Sequence, residues 1–151
     1  MDTDRIVKEM DLKAPVSRVW RALTDYREFG QWFGVKLETP FEPGKVTRGR
    51  ITIPGYEHGT LDVLVQQMEP ERVFSFQWHP YAVDPNFDYS KEPQTLVEFR
   101  LEPTAGGTRL LLTESGFDRI PAARRAEAFR MNEGGWTSQM KNIARHVDAT
   151  P

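Results

Sequence analysis

A chain of 151 residues that is 38% hydrophobic, with 22 acidic side chains against 20 Lys and Arg and a formal charge of -2, has material for one sizeable core and not for two domains. Acids and bases are interspersed, which argues against nucleic-acid binding, because neutralising phosphates needs Lys and Arg gathered on one face. The absence of cysteine excludes disulfides, thiolate zinc sites and a cysteine nucleophile, and no stretch reaches the ~18 continuous apolar residues that span a bilayer.

Met1 to Arg5 is charged and has no apolar run behind it, so a cytoplasmic protein is the expectation. Ile6 to Leu12 alternates as a strand with Ile6, Met10 and Leu12 on its buried side, where Lys8 does not fit. Pro15 ends it, and Val16 to Thr24 reads as a short helix burying Val16, Val19, Trp20 and Leu23. A second short helix, Asp25 to Phe33, presents Phe29, Trp32 and Phe33 and stops at Gly34. Val35 to Thr39 can form one more brief strand.

After the Phe41-Glu42-Pro43-Gly44 turn the pattern changes to period two. Val46 to Ile53, Thr60 to Gln67, Arg72 to Trp78, Leu96 to Leu101 and Thr108 to Ser115 read as strands, most of them joined by short turns that favour antiparallel neighbours. Parity puts Phe74, Phe76 and Trp78 inward, with Val97, Phe99 and Leu101 on the next strand and Leu110 and Leu112 on the last. His79 to Gln94, with Pro80, Pro85, Pro93, Tyr81, Phe87 and Tyr89, is the longest irregular segment, either a lid or a structural plug over one end of the interior.

Pro121 to Val147 reads as a long amphipathic helix whose stripe is Ala122, Ala126, Phe129, Glu133, Trp136, Met140, Ile143 and Val147, with Arg124, Arg125, Glu127, Arg130, Lys141, Asn142 and Arg145 on a solvated back. Strands in succession closed by such a helix predict an α+β fold in which one face of an antiparallel sheet is buried against the helix.

Ala14-Pro15 ahead of Val19-Trp20-Arg21-Ala22-Leu23-Thr24, Trp32-Phe33, the Phe41 to Gly44 turn, Leu96-Val97-Glu98-Phe99, Gly106-Gly107-Thr108 and Gly135-Trp136 together resemble the START-like (SRPBCC) superfamily. Within it the chain most resembles the branch homologous to the C-terminal domain of the activator of Hsp90 ATPase (AHSA1-like). The resemblance covers nearly the whole of residues 1–151. It implies a helix-grip fold, a curved sheet around the C-terminal helix with an apolar cavity between them, and it transfers no catalytic residues. Superfamily members include lipid, sterol and hormone binders and polyketide cyclases, while the chaperone branch acts on Hsp90.

Glu133 is the misfit on the helix stripe. A bare buried carboxylate costs several kcal/mol, so either Gly134-Gly135 distort the helix and release it to solvent or a basic neighbour, or it orients a ligand inside the pocket, with Lys8 as an available partner. The glycines themselves suggest close approach of the helix to the sheet, or a kink. His58, His79 and His146 fall in different elements and give no metal site.

The leading reading is non-catalytic binding of a small hydrophobic or aromatic molecule by Trp32, Phe74, Phe76, Trp78, Tyr81, Phe87, Phe99, Phe129, Glu133, Trp136 and Met140. No cofactor is implied, and the protein is expected to be a monomer or homodimer. The alternatives are a chaperone-linked interaction or stress-response module, and a cyclase- or hydrolase-type enzyme using the same cavity.

Overall fold

The computed structural model describes residues 4–149. Its elements in chain order are β1 (Arg5–Leu12), α1 (Val16–Thr24), α2 (Tyr26–Phe33), β2 (Val35–Leu37), β3 (Val46–Ile51), β4 (Thr60–Glu69), β5 (Val73–Trp78), β6 (Thr95–Thr104), β7 (Gly107–Ser115), a single 3-10 turn at Phe117–Arg119, and α3 (Ala122–Ala149). All seven strands form one antiparallel sheet in the order β1-β7-β6-β5-β4-β3-β2. The first and last strands therefore pair, and α1 and α2 carry the chain from one sheet edge to the other.

Local chemistry sets these joints. Pro15 precedes α1 in extended conformation, and Asp25 ends α1 and caps α2, its carboxylate accepting from the backbone of Arg27 at 2.9 Å and Glu28 at 3.3 Å. Gly34 closes α2 at φ 93°, a left-handed conformation that costs a residue with a Cβ 1–2 kcal/mol, roughly. A register shift between Val65 and Gln67 on β4 marks a bulge, the usual device for bending a sheet.

The concave face is filled. Phe74, Phe76, Phe99, Leu110 and Leu112 are fully buried at the inward parity positions, and α2 drives Phe29, Trp32 and Phe33 against them, with Phe29 4.7 Å from Trp32 and 6.2 Å from Phe76 between ring centroids. Trp136 of α3 completes the cluster, 5.8 Å from Phe99 and 5.7 Å from Trp78.

α3 departs from the expected stripe in its first half. Trp136, Met140, Ile143 and Val147 are buried as their spacing predicts, but Ala122 and Ala126 are exposed, Ala128 is buried instead, and Phe129 turns to Phe117 at 5.1 Å rather than to the sheet. The cause is what lies beneath: the C-terminal half of α3 meets the aromatic core, whereas its N-terminal half meets the 3-10 turn and the 79–94 loop. The C-terminal half is further tied to α1 and α2 through Glu28, which pairs with Arg18 at 2.9 Å, Arg21 at 2.8 Å and His146 at 2.8 Å. Burial pushes the Glu28 carboxyl up, but the His146 hydrogen bond and the Arg18 charge outweigh it and hold the group below its usual range.

Candidate functional site

The open space lies at one end of this packed interior. A cavity of about 690 Å³ is bounded by Ile51, Ile53, Tyr56 and Leu61 from the β3–β4 end of the sheet, by His79, Tyr81, Ala82, Val83 and Tyr89 from the 79–94 loop, and by Arg130, Met131, Asn132, Gly134, Gly135 and Ser138 from α3. Phe33 and Trp78 form its inner wall, where the core begins. Its walls mix aromatic and aliphatic side chains with polar and charged ones, Thr60, Asp62, Asp88 and Ser90 among the latter, and the apolar surface predominates, as in many small-molecule sites.

Gly134 and Gly135 are part of the wall for a specific reason. Both are exposed and a Cβ built on either would meet nothing within 4 Å, so the glycines do not answer to close helix–sheet approach, and α3 continues through them. Each gives up ~1 kcal/mol of helix propensity relative to alanine. What they leave in return is bare helix surface facing the cavity.

Beneath the inner wall sits a carboxylate that the composition of the core gives no reason to expect. Glu114 on β7 comes after Leu110 and Leu112 at the inward parity and is fully buried. Its Oε2 accepts from Trp78 Nε1 at 2.7 Å and Thr95 Oγ1 at 2.6 Å, and its Oε1 accepts from Trp136 Nε1 at 2.8 Å and Asn132 Nδ2 at 3.0 Å. Asn132 Nδ2 also lies 3.2 Å from Oε2. None of these four donors is charged. Burial therefore dominates and raises the Glu114 carboxyl above its ordinary pKa, the hydrogen bonds opposing it. One acidic group thus fixes β5, β6, β7 and α3 together at the cavity's base.

The 79–94 loop, which forms one wall of the cavity, is pinned to α3. Arg124 forks onto Glu92, with Nη2 2.8 Å and Nε 3.0 Å from Oε1, donates to the carbonyls of Pro80 at 3.0 Å and Tyr81 at 3.2 Å, and lies 4.8 Å from the centre of the Tyr89 ring. It is half-buried, not part of the solvated back of the helix that the charge pattern suggested. His79 meets the Glu92 carbonyl at 3.1 Å and His58 meets the Val83 carbonyl at 3.1 Å. Tyr81 adopts φ 50°, an unusual conformation for an aromatic residue that the surrounding contacts must enforce. Arg124→Ala should speed amide hydrogen exchange across residues 79–94 about tenfold or more, while β5 and β6 keep their protection. Equal protection in the two proteins would show that Arg124 does not hold the loop.

The sequence profile of the Activator of Hsp90 ATPase homolog 1-like proteins matches residues 13–148. The chain belongs to that family. Among solved structures, MLL2253 from Mesorhizobium loti is 28% identical to this AHSA1-like chain, with a TM-score of 0.76 over 97% of this chain and 98% of that one. DynU16, a protein of the dynemicin biosynthetic locus, is 27% identical with a TM-score of 0.72, and the match covers 96% of this chain and 47% of that one. CalU16 from Micromonospora echinospora shares the fold at 21% identity and a TM-score of 0.65, over 95% of this chain and 75% of that one. No curated protein matches the sequence.

Within the AHSA1-like frame the anticipated ligand-binding residues separate into three groups. Trp78 and Tyr81 line the cavity. Trp32, Phe74, Phe76, Phe99, Trp136 and Met140 lie in the packed core behind it, because α2 supplies the aromatic volume that fills the concave face. Phe129, Glu133 and Phe87 do not line the cavity: Phe129 packs at the margin of the core on Phe117, Phe87 is 48% exposed and lies 4.7 Å from Tyr89, and Glu133, its side chain 49% exposed, meets Lys8 Nζ at 2.5 Å. Lys8, on the edge strand β1, is thus Glu133's partner, and neither residue lines the cavity. Sequence reasoning missed Glu114, Asn132 and Arg124. The first was signalled by strand alternation, while the other two look like ordinary polar residues of a helix. The three histidines stand apart, His146 on Glu28, and no cluster of three or more His, Cys, Asp or Glu suited to a metal occurs among the described residues. No helix among those residues is long and apolar enough to cross a membrane.

Proposed function

We propose that this AHSA1-like chain binds a small, largely apolar molecule, aromatic compounds foremost, in the cavity beneath the 79–94 loop. The observation that carries the reading is the unfilled helix face at Gly134 and Gly135, opposite Trp78, Tyr56 and Tyr81 in a cavity of about 690 Å³. A helix that gives up propensity twice in succession, with no packing neighbour to demand it, keeps space open. The family description also names a chaperone activator. The large exposed apolar side chains Val7, Val46 and Phe87 stand on β1, β3 and the loop rather than together, so the cavity and not the outer surface supports the function.

The test is to fill the space. The fluorescent probe N-phenyl-1-naphthylamine is expected to bind saturably to the native chain. Gly135→Phe should weaken that binding at least about tenfold by occupying the cavity, without lowering the melting temperature. Gly135→Ala should raise stability by ~0.5–1 kcal/mol through helix propensity alone. Undiminished probe affinity in a folded Gly135→Phe protein would place binding elsewhere and overturn the proposal.

A further inference from the structure

We infer that Asn132, oriented by the buried Glu114, presents its amide oxygen to the cavity and selects ligands that carry a hydrogen-bond donor, such as a phenolic hydroxyl or an aromatic N–H. The inference rests on the cavity-binding reading and specifies its ligand class. Asn132 lines the cavity immediately before the open surface at Gly134 and Gly135, so a ring lying against the glycines reaches it.

An asparagine amide can ordinarily turn over and offer either its oxygen or its nitrogen. Here it has one orientation. Asn132 Nδ2 is 3.0 Å from Glu114 Oε1, an oxygen that also accepts from the Trp136 indole. Indole nitrogens only donate, so an ionised Glu114 uses both oxygens as acceptors, and a neutral Glu114 can place its proton on Oε2, where the Thr95 hydroxyl can accept it. Oε1 therefore remains an acceptor in the ionised carboxylate, and in the neutral acid with its proton on Oε2 against Thr95. Turning Asn132 over would set its oxygen against that acceptor, so Nδ2 stays on Glu114 and Oδ1 faces the other way, into the cavity. Two tryptophans lock Glu114 in place from β5 and α3, which makes this a preorganised acceptor rather than a mobile surface amide. A ligand donor placed there gains a hydrogen bond, while one that offers only an ether oxygen meets a lone pair.

The experiment compares 1-naphthol with 1-methoxynaphthalene, displacing N-phenyl-1-naphthylamine from the full chain. The native protein should favour 1-naphthol about tenfold, the effect of one neutral hydrogen bond. Asn132→Leu should still bind 1-methoxynaphthalene, with the preference reduced to one or below. Asn132→Ala gives the same readout should the leucine perturb the helix. Glu114→Met removes the acceptor that holds Asn132 Nδ2 and leaves the Trp136 indole to draw Oδ1 away from the cavity, so in a variant that still binds 1-methoxynaphthalene the preference should likewise vanish, an outcome that loss of stability alone would not produce. Equal affinities for the two compounds in the native protein, or a preference preserved in Asn132→Leu, overturn the inference and leave the cavity reading intact. A preference preserved in Glu114→Met overturns the role of Glu114 as the positioning residue. Failure of both compounds to displace the probe from the native protein overturns the cavity reading and this inference together.

Discussion

Glu114→Ala is expected to lower the unfolding free energy by ~4 kcal/mol or more, read from urea denaturation, because removing one acceptor strands several buried donors at once and each such group costs 1–3 kcal/mol, roughly. The Trp78 and Trp136 indoles and the Thr95 hydroxyl are buried, and the deleted side chain also leaves a cavity. A loss of that size is a large share of the 5–15 kcal/mol that holds a typical domain together, approximately. Glu114→Gln, which keeps the volume and one acceptor, should fall between the native protein and the alanine variant. A decrease below ~1 kcal/mol for Glu114→Ala would mean that the carboxylate is dispensable to the fold.

The same residue imposes a pH dependence whose sign is set by burial. The native state holds the Glu114 proton more tightly than the unfolded chain, where the carboxyl titrates near its ordinary value of 4.5. Below that value the group is neutral in both states and adds nothing; as the pH rises through the raised native pKa, the cost of ionising a buried carboxyl is subtracted from stability. The advantage of the native protein over Glu114→Gln should therefore shrink as pH increases from about 4.5. Other acids, Glu28 among them, titrate alike in both proteins and cancel in the difference. An advantage that grows with pH would show that the four hydrogen bonds outweigh desolvation.

Trp136→Ala should cost ~3–5 kcal/mol, the range for truncating a buried large aromatic. The indole is 2% exposed, lies 6.3 Å from Phe33, 5.7 Å from Trp78 and 5.8 Å from Phe99, and donates to Glu114. It is the point at which α3 grips the sheet. Thermal unfolding of Trp136→Ala beside Phe129→Ala separates the two halves of the helix, since Phe129 rests on Phe117 and is only partly buried. Equal losses in the two variants would mean that the grip is spread along α3 rather than centred on Trp136.

The period-two strands, the 3.6-residue spacing of Trp136, Met140, Ile143 and Val147, and the stops at Pro15 and Gly34 were legible in the sequence because each is a local property, set by where side chains point from a strand or a helix and by which backbone angles proline and glycine accept. Those features were enough to specify a sheet closed by a long helix. The site was less legible. Alternation along β7 points from Leu110 and Leu112 to Glu114, but a carboxylate reads as exposed until its donors are known, and these come from positions 18 to 36 residues away in three other elements. Glu133 left two readings open, a ligand-orienting group or an ion pair with Lys8, and the contact formed is the pair with Lys8 on β1. Spacing along a helix says which residues share a face, not what that face meets. The sequence alone thus determined the elements, their order and most of the core, since these depend on neighbours within a few residues. Only the tertiary structure decided that α2 fills the interior, that Arg124 pins the 79–94 loop, and that the open space lies against Gly134 and Gly135, because volume, burial and long-range hydrogen bonds exist only once distant segments have been brought together.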